Sequence, residues 1–185
     1  MNMSYPGLEE MLRRVVTGDD RDGKSVIIVD GPPSGASVEA GLGGLMEIWA
    51  EGLGDTLSPG LAEDKGPVSA TLAPDDEQIK VRWFAIEPMP GGVPAETLRS
   101  LARAGFARIG ADHHMIDQSR HPGMHETDTL DIICLLKGRA KLILENAETE
   151  LVPGNVVIQR GTNHAWTAVD GTALFLAILI DRKLI

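Results

Sequence analysis

His125-Glu-Thr-Asp-Thr-Leu-Asp131, which runs directly into Ile132-Ile-Cys-Leu-Leu-Lys-Gly138, is the stretch that decides the fold of this chain. Alternating polar residues give way to an apolar run that a glycine closes, which is typical of a β-strand followed by a turn. Two later pieces, Pro153-Gly154 and Gln159-Arg-Gly-Thr-Asn-His164, add a second turn and a second approach to a strand. The four pieces together predict β structure with polar side chains gathered at one end.

Short strands separated by turns extend from this stretch towards the end of the sequence. The predicted strands cover residues 130–137, 140–144, 155–159, 164–169 and 173–180. Turns are expected at residues 138–139, 145–150, 161 and 170–171. Short strands at such even spacing indicate an antiparallel barrel or sandwich.

The first half of the sequence predicts further strands, two loops and one helix. The predicted strands cover residues 13–17, 25–29, 45–50 and 79–86, and Asp22-Gly23 is a hairpin turn between the first two. Residues 31–44 and 51–78 are rich in Gly, Pro or acidic side chains and are predicted to be loops. A helix is expected from Pro94 to Ile109, since proline suits a first helical position and an apolar stripe follows it.

The motifs resemble those of the cupin superfamily. The first cupin motif reads His-x-His, three or four residues, Glu, six residues, Gly, and the second reads Pro-x-Gly-x-x-His, three residues, Asn. With Gly138 as the anchor, His125 takes the first His slot, Thr127 the second and Asp131 the Glu slot. His164 takes the histidine slot of the second motif.

The residues of these motifs are similar to those of cupin-2 type single-barrel proteins of a largely uncharacterised subgroup. The resemblance implies an all-β fold, a double-stranded β-helix (a cupin or jelly-roll barrel) with an N-terminal β extension and one short helix. We therefore expect one cupin domain over residues 1–185, with the extension and its loops at 1–78 and the barrel core at 79–185. Single-barrel cupins commonly dimerise, so the resemblance also implies a homodimer.

The candidate metal ligands are His125 and His164. In an extended strand alternate residues share a face, so His125, Thr127 and Asp131 are all expected to point inward. Two imidazoles and the Asp131 carboxylate would form a two-His-one-carboxylate face with open positions, as iron oxygenases use. Threonine is a poor ligand, however, and aspartate reaches one methylene less far than glutamate. A divalent metal such as Zn, Fe, Mn or Ni is thus one expectation, and a dioxygenase one possible activity.

The same side chains suit acid–base chemistry without a metal. The predicted catalytic residues are His125, Asp131 and His164, because a histidine beside an aspartate is a serviceable acid or base near neutral pH. Thr127 or Gln159 would hold a carbonyl oxygen of the ligand, and Trp166 would line the pocket. A buried carboxylate at 131 needs a partner, either a histidine, neighbouring hydroxyls or an arginine such as Arg160.

Composition limits the partners. The chain has 185 residues, a formal net charge of −10 and scattered Lys and Arg residues, which argues against nucleic acid. The longest apolar run, at 173–180, is too short for a membrane helix, so no membrane partner is expected. One cysteine, Cys134, lies in an apolar run and suggests a buried thiol; a cytoplasmic location follows as the default.

The sequence thus predicts a barrel that binds a small molecule, and its best-supported activity is acid–base lyase or isomerase chemistry, possible with or without a metal. A ligand-binding or sensing barrel without catalysis and a metal-dependent dioxygenase remain open alternatives. Fold resemblance does not decide among them, because one fold serves many functions.

Overall fold

The structure, a computed structural model, describes residues 7–8, 10–39, 41–54 and 64–182. Within these residues the chain forms eleven strands, one α-helix and a short 3-10 helix at Asp112–His114. The first five strands are β1 Arg14–Asp19, β2 Ser25–Gly31, β3 Gly35–Glu39, β4 Gly43–Gly52 and β5 Gln78–Ile86. The helix α1, Ala95–Arg108, precedes the strands β6 Thr129–Lys137, β7 Ala140–Leu144, β8 Glu148–Leu151, β9 Val156–Arg160, β10 His164–Ala168 and β11 Ala173–Asp181.

Two antiparallel sheets build the body of the fold. One has the strand order β3-β4-β5-β11-β6-β9 and the other has the order β10-β7-β8. Apolar side chains from both sheets form one core cluster, for example Leu135 and Phe175 from the large sheet and Leu142 from the small one. Inward positions alternate with outward ones along β6, as the period of a strand requires. The predicted all-β fold of antiparallel strands is confirmed.

The N-terminal hairpin is also confirmed. β1 and β2 pair antiparallel, and the Asp20 carboxylate accepts hydrogen bonds from the backbone N–H groups of Asp22 and Lys24, both at 2.9 Å. Gly23 has a φ of 71° in this turn, a conformation that glycine adopts without steric cost.

The helix α1 lies within one residue of the predicted bounds. None of its residues is buried in the protein body. Its apolar stripe faces a cavity instead, as described below. Among the described residues, no helix is long and apolar enough to cross a membrane.

Two predictions of irregular structure were wrong. Residues 31–44 contain the strand β3 and the start of β4, and residues 145–150 contain most of β8. In the first case, glycine allows backbones to approach closely: a Cβ built at Gly35 would lie 2.4 Å from the carbonyl oxygen of Val68. Glycine therefore marks packed strands here, whereas in a single sequence it is a loop signal.

Gly43 provides a test of this packing. Its φ is 135°, and an added Cβ would lie 2.1 Å from the carbonyl oxygen of Ala85 in β5. We expect Gly43→Ala to lower the free energy of unfolding by about 2 kcal/mol or more, measured by urea denaturation. Gly91→Ala is the control, because a Cβ at Gly91 meets nothing within 4 Å, and its effect should stay within about 0.5 kcal/mol. Equal effects of the two substitutions would contradict the close β4–β5 approach.

Candidate functional site

A cavity of about 290 Å³ opens between the inner faces of the two sheets. Ala177 and Leu179 of β11 line it together with the aromatic side chains of Phe84 and Trp166. Phe84 and Trp166 have ring centroids 6.1 Å apart. The surface of the cavity is mostly apolar, which is usual for a small-molecule pocket.

The helix α1 borders one side of the cavity. Its residues Leu98, Ala102 and Phe106 line the cavity at helical spacing, so the stripe predicted from the sequence faces the pocket. The Phe106 ring lies 4.9 Å from the ring of His125, measured between centroids. An ion pair between Arg108 and Glu39 of β3 connects the end of the helix to the large sheet.

Two histidines lie side by side in this cavity. His125 and His164 exchange both backbone hydrogen bonds, each at 2.9 Å, in an isolated antiparallel bridge. Residues paired in this way place their side chains on one face, close together. The ring centroids are accordingly 4.4 Å apart.

Backbone carbonyls fix the tautomers of both rings. His125 Nδ1 lies 2.9 Å from the carbonyl oxygen of Gly123, and His164 Nδ1 lies 2.8 Å from that of Thr162. A carbonyl can only accept, so each Nδ1 carries the proton and each neutral ring keeps its lone pair at Nε2. Burial lowers the pKa of His125 to about 3, helped by His164, and lowers the pKa of His164 to about 4. Both imidazoles are therefore neutral at pH 7.

This pair fits a divalent metal as two of its ligands. Metal-bound histidines commonly donate their second ring nitrogen to a carbonyl, which is the arrangement seen here. Within the described residues, no group of three or more His, Cys, Asp or Glu side chains is placed to hold a metal ion. A metal at this pair would need its other ligands from water or from a bound molecule.

Asp131 is a buried carboxylate of the cavity. Its side chain is buried, and Oδ1 has no hydrogen-bond partner within the part of the chain that is described. The Thr129 hydroxyl donates to the carboxylate, and Thr127 Oγ1 lies 2.6 Å from Thr129 Oγ1. Burial raises the pKa of Asp131 to about 6, against the smaller opposing effects of Thr129 and Arg82.

A buried charge cluster borders this carboxylate. Arg82 and Lys80 point into the protein from β5, and Glu47 of β4 lies opposite Arg82; all three are at most 4% exposed. Burial raises the pKa of Glu47, and it lowers the pKa of Lys80 and of Arg82. Lys80 Nζ donates to Thr71 Oγ1 and to the carbonyl oxygen of Ala73.

His121 brings a third imidazole to the cavity with the opposite tautomer. Its Nδ1 accepts a hydrogen bond from the Gly123 N–H at 3.0 Å, so the neutral ring carries its proton at Nε2. That Nε2 is buried and lacks a hydrogen-bond partner in the described residues. It is thus a donor available to a ligand, whereas His125 and His164 offer acceptors.

Five of the six predicted pocket residues line the cavity: His125, Thr127, Asp131, His164 and Trp166. Gln159 does not. It lies opposite Asp131 in the β6–β9 pairing, but its side-chain N–H group donates to the carbonyl and hydroxyl oxygens of Thr162, at 2.8 and 2.6 Å. Arg160, one of the three kinds of partner predicted for Asp131, is exposed on β9. A hydroxyl, that of Thr129, is the partner instead.

Sequence reasoning missed Arg82 and Glu47, and it offered His121 only as one of three loop histidines, with His113 and His114, that could supply a further imidazole to a metal. A signal for Arg82 was present, since the alternation of β5 puts Lys80, Arg82 and Phe84 on one face and Phe84 is a pocket-like aromatic. Lys and Arg side chains are mostly exposed in proteins, but the fold turns this face inward. No local pattern marks Glu47 or His121, because their neighbours come from distant strands.

Comparisons with known proteins give limited matches. No family model matches the chain. Phomopsin biosynthesis cluster protein C′ of Diaporthe leptostromiformis is 39% identical over 51 residues, which cover 27% of this chain and 27% of that protein. Oryzines biosynthesis cluster protein J of Aspergillus oryzae is 39% identical over 70 residues, covering 34% of this chain and 39% of that protein. The chain therefore spans well under half the length of the curated relatives it matches.

Two solved structures of cupin proteins are among those that resemble this one at low sequence identity. A cupin-2 domain protein of Rhodospirillum rubrum aligns with 100% of this chain and 77% of its own, at 11% identity and a TM-score of 0.39. A cupin superfamily protein of Desulfitobacterium hafniense aligns with 60% of this chain and 73% of its own, at 15% identity and a TM-score of 0.35. Similarity at this level carries no argument about activity.

The lowered histidine pKa values predict a loss of stability in acid. In the unfolded chain His164 binds its proton near pH 6.5, but in the folded chain only near pH 4. Its contribution to stability is therefore complete above pH 6.5 and decreases as the pH falls towards 4. We expect the difference in unfolding free energy between wild type and His164→Asn to change by about 1.4 kcal/mol per pH unit between pH 6 and 4.

Urea denaturation at pH 7.5, 6, 5 and 4.5 measures this difference. Asparagine keeps an N–H group near the position of Nδ1 and removes Nε2, so the bond to Thr162 can survive. The pKa of Asp131 is raised, so its contribution to the unfolding free energy increases as the pH falls, opposite to that of His164. Wild type and His164→Asn share this contribution, and it cancels in the difference between them. His113→Asn, which replaces an exposed imidazole, is the control and should follow the wild type. Parallel curves for His164→Asn and wild type would mean that His164 is not buried as a neutral ring.

Proposed function

We propose that this cavity binds a small, mostly apolar carbonyl compound and transfers a proton on it, in a lyase or isomerase reaction. The observation that carries the proposal is Asp131: a carboxylate in an apolar cavity, with one free oxygen and a pKa raised to about 6. A base of this strength is largely ionised at pH 7 and still accepts a proton from carbon more readily than an ordinary aspartate. Perturbed carboxylates in clefts are frequent at functional sites.

In the proposed reaction Asp131 Oδ1 takes a proton from the carbon next to the ligand's carbonyl group. The electron pair of that C–H bond moves to the carbonyl oxygen and forms an enolate. In an isomerase the proton then returns from Asp131 to a different carbon. In a lyase the carbonyl group re-forms and the electron pair of the enolate makes a C=C bond between the α and β carbons. The leaving group departs from the β carbon with the electron pair of the bond that breaks, and Asp131 gives its proton to the leaving group.

His121 is the best-placed donor for the enolate oxygen. The sequence suggested Thr127 or Gln159, but the donors of both are already used. The Thr129 hydroxyl donates to Asp131, so its oxygen accepts from Thr127, and Gln159 donates to Thr162. His121 Nε2–H is buried and unpaired among the described residues, and a donor held in an apolar site stabilises a developing oxyanion strongly.

The apolar surroundings support this chemistry by keeping water out. The Phe106 ring of α1 and the ring of Trp166 flank the histidine pair, with Trp166 5.7 Å from His164 between centroids. Electrostatic interactions are stronger where water is excluded. The raised pKa of Asp131 has the same origin.

Asp131→Asn tests the proposal, because asparagine keeps the shape of the side chain and cannot take up a proton. We expect wild-type protein in D₂O to exchange the α-hydrogen of at least one compound in a panel of small aldehydes, ketones and acids, as followed by ¹H NMR. The exchange rate in Asp131→Asn should fall by about 100-fold or more. Binding of the same compound should persist.

The matched control is Asp128→Asn, which changes an exposed carboxylate three residues away. It should exchange at the wild-type rate. If a compound binds but its α-hydrogen exchanges in neither wild type nor the two variants, the result would favour a barrel that binds ligands without catalysis. Exchange that survives in Asp131→Asn would assign the base to another residue.

A metal-assisted reaction is the second candidate, and the tethered Nδ1 atoms of His125 and His164 favour it. A divalent metal bound there would act as a Lewis acid on a carbonyl oxygen. His125 and His164 would hold it through Nε2. Asp131 would keep its role in the proton transfer.

Metal binding is measurable without any substrate. We expect titration calorimetry with Zn²⁺, Mn²⁺, Fe²⁺ and Ni²⁺ to show one site in wild type. His125→Asn keeps the backbone tether but removes one Nε2, and should weaken that site by at least about 10-fold. His113→Asn should leave it unchanged. Equal binding by wild type and His125→Asn would place any metal elsewhere.

A further inference from the structure

We infer that the ligand of this cavity carries a carboxylate group and that the Arg82 guanidinium binds it. The inference rests on the proposed binding role of the cavity and not on the proposed proton transfer. It assigns the substrate class: a small acid whose remaining atoms are apolar.

Arg82 is a buried cation at the surface of the cavity. Its side chain is 2% exposed, yet it lines the same cavity as Asp131, Phe84 and Trp166. Placing an arginine in such surroundings costs several kcal/mol unless it is paired and hydrogen-bonded. The position therefore requires a counter-charge, which either the protein or a ligand must supply.

The protein supplies that counter-charge only in part. Arg82 Nη2 lies 3.0 Å from Glu47 Oε1, which makes an ion pair by distance. The geometry is not that of a hydrogen bond: among the described residues, both Glu47 oxygens and Arg82 Nε have no hydrogen-bond partner. The Nη2 atom donates to a neutral acceptor, the carbonyl oxygen of Thr71. If the Glu47–Arg82 pair served stability alone, we would expect the two Glu47 oxygens and Arg82 Nε to take part in hydrogen bonds.

The charge balance around Arg82 points the same way. Two buried cations, Lys80 and Arg82, lie near two buried carboxylates, Glu47 and Asp131. Glu47 lies within ion-pair distance of Arg82, but neither of its oxygens has a hydrogen-bond partner among the described residues. Lys80 Nζ donates to neutral oxygens of Thr71 and Ala73. A ligand anion beside Arg82 would supply the hydrogen-bond acceptor that Arg82 Nε lacks among the described residues.

The register of the large sheet leaves room for that anion. Ala177 of β11 lies directly between Arg82 of β5 and Ile133 of β6. The small side chain of Ala177 lines the cavity, so a ligand can contact the sheet next to the Arg82 guanidinium. Phe84 lies two residues along β5 on the same face and would contact the apolar part of the ligand.

A carboxylate fits this site better than a phosphate. Guanidinium and carboxylate groups are both planar and pair side by side through two N–H···O bonds. A phosphate dianion needs several donors, whereas the cavity surface is mostly apolar. The second cationic side chain at the cavity, Arg108, already pairs with Glu39.

Benzoate and benzamide are suitable probes, because they match in shape and differ in charge. Neither has a hydrogen on a carbon next to the carbonyl that a base could remove, so they report binding separately from proton transfer. By titration calorimetry, we expect wild type to bind benzoate at least about 10-fold more tightly than benzamide. In ¹⁵N-labelled protein, the Arg82 Nε–H resonance should shift on addition of benzoate and much less with benzamide.

Two variants on one background isolate the role of Arg82. Glu47→Gln removes the internal counter-charge and should bind benzoate at least as tightly as wild type. Glu47→Gln with Arg82→Met removes both charges, so no buried ion is left alone, and should lose about 10-fold or more of the benzoate affinity while benzamide binding changes little. Arg103→Met, at an exposed cation of α1 outside the cavity lining, is the control and should bind benzoate like wild type.

Equal wild-type affinity for the two probes, or no binding of either, would overturn the carboxylate assignment. Unchanged benzoate affinity in the double variant would overturn the role of Arg82. If the double variant does not fold, the probe comparison and the Arg82 resonance in wild type still decide the question. Loss of proton exchange in Asp131→Asn with benzoate binding intact would separate this inference from the proposed reaction.

Discussion

The position of β11 between β5 and β6 is the constraint on which the rest of the site depends. Its register sets Leu179 between Lys80 and Asp131, and sets Ala177 between Arg82 and Ile133. A shift of one residue would move every one of these side chains to the other face of the sheet. Because β11 is apolar from Ala173 to Ile180 and is paired on both sides, the protein can hold cations and carboxylates inside a largely apolar sandwich.

The interior charges carry a cost in stability. Glu47 and Arg82 are almost completely buried, and their contact does not satisfy the hydrogen-bonding capacity of either group. Replacing such a pair with apolar residues is often neutral or stabilising in other proteins. The position of the Glu47–Arg82 pair at the edge of a cavity fits a role in ligand binding better than a role in stabilising the fold.

Backbone geometry assigns different tasks to three histidines of the cavity. His125 and His164 donate through Nδ1 to carbonyl oxygens, so they present lone pairs, whereas His121 accepts at Nδ1 and presents an N–H group. The acceptor pair suits a metal or a ligand hydroxyl, and the single donor suits a developing oxyanion. Asp131 adds the group that changes its protonation state close to neutral pH.

The sequence by itself determined the strands, the hairpin, the helix and the inward direction of the polar residues on β6. These features follow from short-range patterns: the period of two along 125–131, the Asp22-Gly23 turn and the stripe from Leu98 to Phe106. The motif spacing also singled out His125 and His164, and the backbone bridge between them explains why they are adjacent. Residues 35–39 could not be recognised as a strand, since Gly35 is a loop signal in the sequence and the reason for it is the backbone of residues 67 and 68.

Only the tertiary structure decided which of the polar residues belong to the site. Gln159 has the right alternation but is held by the turn at Thr162, and Arg160 is exposed. Arg82 looks like a surface residue in the sequence and lies in the cavity, because β5 is covered on that face by the second sheet and by α1. Burial, pKa and tautomer are set by atoms that are distant along the chain, and for that reason they appear only once the sheets have been assembled.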